Sequence, residues 1–565
     1  MPLVDIRANA IDRVREAPNR PLRVAVIGCG PKGLLSIQQL TKQLESGDTG
    51  RPLSVTIFEP AEFPGAGLVY EPRQPHYLRM NFAAEHINVW QCEEDGPSLL
   101  NWLRRSYPEF AATGLFVPRA LVGKYLHDCY LAIVERLEKR AHLARIKEQV
   151  VDLVDTATGW RVVTGSRQGV REFDEVLLTV GHEGWRSSAV AGREIGVFDI
   201  PHVYPTNIQL SPAMAPAQSH IAIRGIGLTA IDAILALTEG RGGKFRQTNH
   251  ALVYEPLGDE PATVYPYSRS GRPMLAKPNT HQMSIPDLEG LWEHYAGGLA
   301  TLATRDRPLH FKDEIWPTVE SAAKAALCAV GGSGALEWFE SWLHCCPNGD
   351  EFRNQLSASV EVAMGRVVPD AAWAMGEAWR QLYPTLVDLV SHDGMTKDSW
   401  PHFRALAAEM ERVAFGPPVE NCLKFLALID CGLVCLTLLQ GTVAACESGC
   451  RELRTVRGRR NARIDCHVNA VLPSPLASNP RGPLSSLAQR GKLVHHDSGC
   501  GYQIDRFGCP IAADGQSLCG VTLVGRPTEG AVLGNDTLNP GLHHGPSLWA
   551  KNIFEQLQRI ERSTL

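Results

Sequence analysis

The 565-residue chain has no CxxC pair, no excess of positive charge and no unbroken apolar run long enough to span a bilayer. Each shortage removes a class of function. The fifteen cysteines stand scattered, apart from the vicinal Cys345 and Cys346 beside His344, and no paired Cys/His blocks accompany them. That spacing predicts buried, reduced thiols and no metal rather than a disulfide framework or a zinc site. A formal net charge of -5 supplies no basic field, so neither nucleic acid nor an anionic membrane surface is an expected partner. The most apolar stretch, "FLALIDCGLVCLTLLQGTVAA" (425–445), holds Asp430 and Gln440 and is interrupted by Gly432 and Gly441. It predicts a buried helix followed by a strand, and no membrane partner. Residues 1–20 mix acids and bases without the apolar core of a secretory signal, which makes a cytoplasmic location the expectation. No low-complexity tract is present. What the chain does have is apolar residues, 44% against 21% charged, enough at this length for two or three buried cores.

Two stretches repeat one design. In "RVAVIGCGPKG" the apolar strand from Val24 to Ile27 runs into Gly28, Gly30 and Gly33, and a helix is expected from about Leu34 to Leu44. This glycine spacing lets the chain turn tightly, lets a pyrophosphate approach the backbone and packs the next helix on the sheet, with its first N–H groups facing the phosphates. A second strand, "LSVTIFEP", ends in Glu59, where a carboxylate accepts hydrogen bonds from an unphosphorylated ribose.

The second stretch is "IAIRGIGLTAIDAILAL" (221–237), with Gly225, Gly227 and Thr229, and with alanine in place of the third glycine. Its partner strand is expected in "ATVYPYSRSGRP", after the insertion "TEGRGGKFRQTNH". Where the first unit has Glu59, this one has Ser268 and Arg269, which suit a ribose 2′-phosphate. Two turns of opposite ribose preference predict two cofactors, a resident FAD and a visiting NADPH. Between them, "FDEVLLTVGHEGW" (173–185) reads as a strand closing the first domain through Thr179 and Gly181. Near the end, "CGVTLVGRPTEGAVLGNDTL" (519–538) repeats the strand-to-glycine pattern at Gly525 before a helix at about 547–560, and returns the chain to the flavin.

The expected fold class is therefore α/β, with two Rossmann-like dinucleotide-binding domains, FAD and NADP, and a helical insertion. The divisions are 1–20, an extension; 21–195, the first part of the FAD domain; 196–275, the NADP domain; 276–450, a helical substrate cap; and 451–565, the rest of the FAD domain. The cap is read from apolar residues at three- and four-residue spacing, with Trp316, Trp373 and Trp379 as its core.

In this order, "VIGCGPKG", "FEP", "PGAGLVYEPRQPHYLRMN", "FVPRALVGKYL", "LLTVGHEG", "GIGLTAIDA" and "VGRPTEGAVLGNDTL" resemble the bacterial FAD-NAD(P)-binding flavoproteins related to class B flavin N-hydroxylating monooxygenases. The layout is most similar to that of aspartate N-monooxygenases, which make nitrosuccinate. The stretch "LRMNFAAEHINVW" carries only part of the pattern seen in lysine and ornithine hydroxylases. The resemblance implies an NADPH-consuming monooxygenase that hydroxylates the amine of a small amino acid, acidic ones favoured, with molecular oxygen as co-substrate and a C4a-hydroperoxyflavin as oxidant. By position it places Gly28, Gly30, Gly33 and Glu59 on the FAD adenosine diphosphate, and Gly65, Gly67 and Asn81 near the isoalloxazine. It places Gly225, Gly227, Thr229, Ser268 and Arg269 on NADPH.

Such chemistry needs a dry pocket, a base for the substrate ammonium and cations for its carboxylates. His127 and His182 are candidate bases, and Lys124 and Arg272 candidate carboxylate partners. A flavin disulfide reductase would need a cysteine pair near the flavin, and only Cys92 stands in that stretch. An NADPH-dependent flavin oxidoreductase without oxygenation stays open, as does a non-catalytic FAD/NADPH-binding module. So do the oligomeric state, with a homodimer among the options, and the identity of the amine.

Overall fold

The computed structural model describes residues 20–90, 92–113, 115–166, 170–181, 198–248, 251–278, 283–445, 451–455, 460–476, 482–542 and 544–558. His182, and the tail of the strand expected to reach Trp185, lie outside the described residues. Two parallel sheets organise the molecule. Their strands are β1 (Leu22–Ile27), β2 (Leu53–Phe58), β3 (His142–Ile146), β4 (Glu175–Leu178), β5 (Phe198–Ile200), β6 (His220–Arg224), β7 (Thr263–Tyr267), β8 (Cys466–Asn469) and β9 (Val521–Leu523).

The first sheet has the order β9-β4-β1-β2-β3. Its central strand, LRVAVI, is apolar on both faces because both are covered. Val24 and Val26 join a core with helix α1 (Pro31–Ser46), while Ala25 and Ile27 join another beneath an antiparallel layer that includes Leu153, Trp160 and Val162. That is the residue pattern expected of a parallel strand buried on two sides. Helix α2 (Arg119–Glu138) packs beside α1.

The second sheet has the order β7-β6-β8-β5, all parallel, with helix α3 (Leu228–Leu237) following β6. The expected insertion is a β-hairpin, Lys244–Gln247 against Leu252–Glu255. Strand β8 lies far from this sheet in sequence and falls inside the 451–565 segment expected to complete the first domain. Its buried CHV run slots between β6 and β5, so the first-domain segment resumes later, with β9.

A third core is helical, built around α4 (Ala371–Val390) and α5 (Trp400–Ala414), and Trp316, Trp373 and Trp379 lie buried in it. Two helices of the expected cap behave differently. Gly349–Ala363 and Val419–Asp430 turn Phe352, Leu356, Cys422 and Phe425 onto the core of the second sheet. The apolar 425–445 stretch forms the end of that second helix and the strand Gly441–Ala445, and among the described residues no helix is long and apolar enough to cross a membrane. Helix α6 (Gly545–Gln558) closes the chain against α1 through Trp549, Ile553 and Leu557. Among the described cysteines Cys29, Cys129, Cys422 and Cys466 are buried, whereas five, including Cys92 and Cys346, are exposed. The expectation of thiols buried as a class is corrected here: Cys328 and Cys431, for example, fall at helix ends that face outward.

Candidate functional site: two glycine turns and the cleft between them

In a doubly wound sheet, ligands bind outside the carboxyl ends of the strands where the strand order reverses. In the first sheet that point lies between β1 and β4, and Gly28 sits on it. Gly28 donates its N–H to the Phe58 carbonyl (2.9 Å) at the end of β2, and Thr179, after β4, donates its N–H to the Ile27 carbonyl (2.9 Å). The turn is closed on all sides. Gly28 has φ +84°, and a Cβ there would stand 2.7 Å from the Thr179 oxygen. A Cβ on Gly33 would stand 2.6 Å from the Gly28 oxygen, so α1 could not pack this near the strand with any larger residue. Gly30 is the N-cap of α1 and offers no side-chain cap, with Pro31 at the first helical position. Uncapped N–H groups at a long helix start are the usual seat of a phosphate.

Glu59 follows β2 and is almost fully buried. Its carboxylate accepts the Cys29 N–H (2.7 Å) and the Ala61 N–H (2.8 Å), which hold it at the lip of the turn. Gly65 and Gly67 lie against the same turn rather than apart from it. Gly65 donates its N–H to the Cys29 carbonyl (2.6 Å), and a Cβ on Gly67 would meet Pro31 at 3.1 Å and Gly30 at 3.6 Å. Gly181, three residues after β4, has φ +61° and open space around it. Gly525, after β9, comes back to this turn, where a Cβ would meet the Lys32 side chain at 3.0 Å.

The second turn repeats the geometry on the other sheet. Gly225 donates its N–H to the Tyr267 carbonyl (2.8 Å) at the end of β7, and a Cβ on it would stand 3.1 Å from the Ala470 oxygen after β8. The reversal point thus lies between β6 and β8. Gly227 caps α3, again without a side-chain cap, and Thr229 stands in the first turn of that helix. Ser268 directly follows β7, donates its N–H to the Leu439 carbonyl (2.8 Å) and accepts the Gly271 N–H on its hydroxyl (3.0 Å). Arg269 beside it is exposed. No acid occupies the position that Glu59 holds in the first unit.

Two glycine turns with uncapped helix starts and opposite ribose-facing residues fit FAD at the first sheet and a 2′-phosphorylated nicotinamide dinucleotide at the second. The units are fastened to each other below the cleft: Arg119 at the start of α2 and the Tyr204 hydroxyl both donate to the Asp232 carboxylate in α3, with all three side chains buried.

The space between the turns is lined by charge. From the first turn, Lys32 donates to the Thr537 carbonyl (2.6 Å), and burial pushes its ammonium down to about 7 against the pull of Asp536. Gly534, two residues before Asp536, has Tyr383 of α4 beside it, and Tyr383 meets Phe415 edge-on at 5.4 Å. Lys277 lies over the Phe415 ring, 4.9 Å from its centroid. Asn81 donates its side-chain N–H to the Phe415 carbonyl (2.9 Å), so this residue reaches the same cleft from the first unit. From Lys277 the backbone runs back to Met274, whose sulfur lies 3.6 Å from where a Gly227 Cβ would be. The contacts therefore connect one glycine turn to the other.

Glu411 of α5 belongs to this lining. Its side chain is exposed, and desolvation by the protein around it, then Asp536, push its carboxyl up to about 8 against Lys277. Burial, then Arg380, push Lys277 down to about 7. Sequence reasoning missed Lys277, Glu411 and Tyr383. Lys277 lies only five residues beyond Arg272, just past the quoted "ATVYPYSRSGRP", and Asp536 lies in the quoted "GNDTL", but nothing local marks Glu411.

The candidate polar residues fall elsewhere. Arg272 is buried and committed: it donates to the Trp342 carbonyl and pairs with Glu409 (3.2 Å), tying the second unit to the helical core. Lys124 lies over the Tyr107 ring at 5.1 Å and reaches its hydroxyl at 3.3 Å. His127 bonds the Pro64 carbonyl (2.9 Å) and stacks on Tyr130, which braces the Gly65 loop. An apolar cavity of about 130 Å³, lined by Leu275, Trp338, Trp342, Trp373 and Arg380, lies behind the 275–278 segment; no glycine turn borders it.

Residues 25–183 match the family model described as FAD-NAD(P)-binding. The chain is similar to the L-aspartate N-monooxygenase (nitrosuccinate-forming) of Streptomyces cremeus, 29% identical over 298 residues, covering 46% of this chain and 43% of that protein. It is 31% identical over 291 residues to the protein of the same name from Streptomyces davaonensis, covering 45% of this chain and 44% of that one. The chain thus spans a little under half the length of these curated relatives. Among solved structures, the L-lysine 6-monooxygenase of Pseudomonas syringae aligns over 96% of this chain and 99% of its own, at 13% identity and a TM-score of 0.43.

Proposed function

We propose that this chain is an FAD-containing, NADPH-consuming monooxygenase that hydroxylates the amine of a small amino acid, aspartate being the favoured substrate. The observation that carries the reading is the pair of matching glycine turns. Each lies at a strand-order reversal, one beside Glu59 and the other beside Ser268 and Arg269. The aspartate N-monooxygenases among its relatives support the substrate class.

Gly28, Gly30, Gly33 and Glu59 would hold the adenosine diphosphate of FAD, with Gly65, Gly67, Gly181 and Gly525 walling the same turn and Asn81 farther along the cleft. Gly225, Gly227, Thr229, Ser268 and Arg269 would hold NADPH. When bound, FAD supplies the redox chemistry, accepting hydride from NADPH and activating oxygen for transfer to an amine. The chain's own residues have three tasks. The backbone turns would hold both dinucleotides, limiting the conformations each cofactor can search. The aromatic pair of Tyr383 in α4 and Phe415, just after α5, would help to keep bulk water from the reacting centre. The enclosed charged groups hold the amino acid and take its ammonium proton, because only the neutral amine carries a nucleophilic lone pair.

The test is a purified preparation read by its visible spectrum, by NADPH oxidation against a panel of amino acids, and by mass spectrometry for oxygenated nitrogen. A yellow protein whose NADPH oxidation rises with aspartate and yields nitrosuccinate or its hydroxylamine precursor is the expected result. Peroxide alone, with every amino acid, would replace this reading with an NADPH oxidase. Flavin bound without any NADPH oxidation would leave a binding module.

A further inference from the structure

The cavity behind residues 275–278 is walled by the helices Glu337–His344 and Gly349–Ala363 together with α4 and α5, and holds about 130 Å³. An engineered apolar cavity of about 150 Å³ admits benzene, so this one has room for a single aromatic ring. Its walls suit such a guest. Trp338 and Trp342 stand with ring centroids 5.3 Å apart, and Trp373 and Leu275 add further apolar surface. Trp342 and Trp373 are buried, whereas Trp338 is half-buried and Ala358 exposed, which marks where the cavity meets solvent. Leaving such a space empty forfeits packing on every side.

The polar groups of the wall are committed, save for a capacity to accept. Gln355 donates its amide N–H to the Cys345 sulfur (3.8 Å), while its Oε1 is buried with no hydrogen-bond partner among the described residues. Ser359 is satisfied in both directions: its hydroxyl donates to the Leu356 carbonyl (2.7 Å) and accepts the Ala276 N–H (3.0 Å). The Arg380 charge is met by Glu377 (2.5 Å) and the Ala414 carbonyl (2.7 Å). Asp370 caps α4 through one carboxylate oxygen, accepting the Trp373 N–H (2.8 Å), and its charge opposes an anionic guest. A buried carbonyl oxygen without a donor is costly. A ring that brings one N–H or O–H removes that cost.

We propose that this cavity is a binding site for a small neutral aromatic molecule carrying one N–H or O–H donor, with Trp338, Trp342 and Trp373 packing its ring and Gln355 Oε1 accepting its donor. The site goes beyond the proposed reaction and does not rest on it, since no glycine turn borders the cavity. It is not a second seat for an amino acid, whose carboxylate would find Asp370 and no unpaired cation. Its one link to the second nucleotide unit is the strip from Met274 to Pro278. Leu275 and Lys277 fasten that strip by donating their N–H groups to the Arg412 (2.9 Å) and Pro417 (2.8 Å) carbonyls. Leu275, Ala276 and Pro278 line the cavity, and the Met274 sulfur reaches the second turn at Gly227.

The experiment is calorimetric titration of the purified full chain with phenol and with toluene, which has nearly the same shape without the donor. Phenol should bind at one site per chain, about twofold to tenfold more tightly than toluene, the range of one neutral hydrogen bond. Gln355→Leu should erase that difference and leave toluene bound. Ala372→Leu, which enlarges a half-buried residue of the wall, should weaken both rings. An unchanged circular dichroism spectrum and thermal transition report that each variant is folded. Benzoate should not compete, and neither saturating NADP+ nor L-aspartate should displace phenol. The absence of saturable binding of either ring to the wild type would overturn the site, and so would displacement by NADP+ or aspartate, which would put the ring in the cleft. Equal affinity for the two rings, or a preference for phenol that survives Gln355→Leu, would overturn the assigned ligand class. None of these results bears on the monooxygenase reading.

Discussion

Replacing glycine by alanine at Gly33 and at Gly297 should move stability in opposite directions. Both positions are helical, so intrinsic propensity favours alanine at each by up to about 1 kcal/mol. Gly297 is exposed in the helix Glu289–Ala300, and a Cβ there meets nothing within 4 Å. That substitution should collect the whole gain. At Gly33 the new Cβ would stand 2.6 Å from the Gly28 oxygen and 3.0 Å from the Thr179 hydroxyl. Even to reach 3.0 Å from the carbonyl, α1 must retreat by 0.4 Å. The strand end cannot give way instead, because Gly28 is bonded to Phe58 and its oxygen accepts from Thr179. Overpacking against an anchored backbone costs about 1–3 kcal/mol, and disturbing the Thr179 bond adds about 1 kcal/mol. The net expectation for Gly33→Ala is a loss of about 2 kcal/mol, concentrated in the flavin-bearing unit. Thermal unfolding followed by flavin fluorescence reads that unit alone, while tryptophan emission reads the helical core together with Trp160 and Trp549 of the flavin-bearing unit. Gly33→Ala should release flavin at lower temperature and retain less of it after dilution, whereas Gly297→Ala should leave flavin release unchanged and shift the tryptophan transition slightly upward. Equal effects at the two sites would refute the reasoning that close helix-to-strand approach, rather than helix propensity, fixes glycine at position 33.

Arg269→Ala should raise the NADPH concentration required for half-maximal oxidation by about tenfold to a hundredfold, as expected for losing a charge-assisted bond to phosphate, while the NADH requirement stays put; steady-state kinetics with both cofactors decides it. FAD affinity should fall as pH rises above about 7, because Lys32, whose ammonium burial pushes down to about 7, becomes neutral and no longer attracts the pyrophosphate. Fluorescence titration of the flavin-free protein between pH 6 and 9 measures this, and Lys32→Met should flatten the curve. Asp232→Asn should destabilise the junction of the two nucleotide units by about 3–5 kcal/mol, since it leaves the Arg119 charge buried without its carboxylate; denaturant unfolding checks it, and a change below 1 kcal/mol would contradict it.

Local chemistry made part of this protein legible. A glycine with positive φ, an uncapped helix start and an acid or a hydroxyl at the next strand end are short-range features, so Gly28, Gly33, Glu59, Gly225 and Ser268 declared themselves within some forty residues of chain. The spacing held even where the hairpin from Lys244 to Glu255 separated α3 from β7, because the ribose-facing position is defined by its strand and not by its distance along the chain. Strand β8 was not legible: a four-residue strand carries too little pattern to announce which sheet it will join.

Two glycine turns, the opposite polarity of the residues beside them and a helical segment after them could be read from local residue order. Long-range packing committed Arg272, beside the second turn, to Glu409, 137 residues away, and left Lys277, five residues further, over the Phe415 ring. The same holds for Glu411, which neighbours Lys277 and Asp536 from separate segments. A charge's role depends on what surrounds it, and its surroundings here come from parts of the chain that no local window contains.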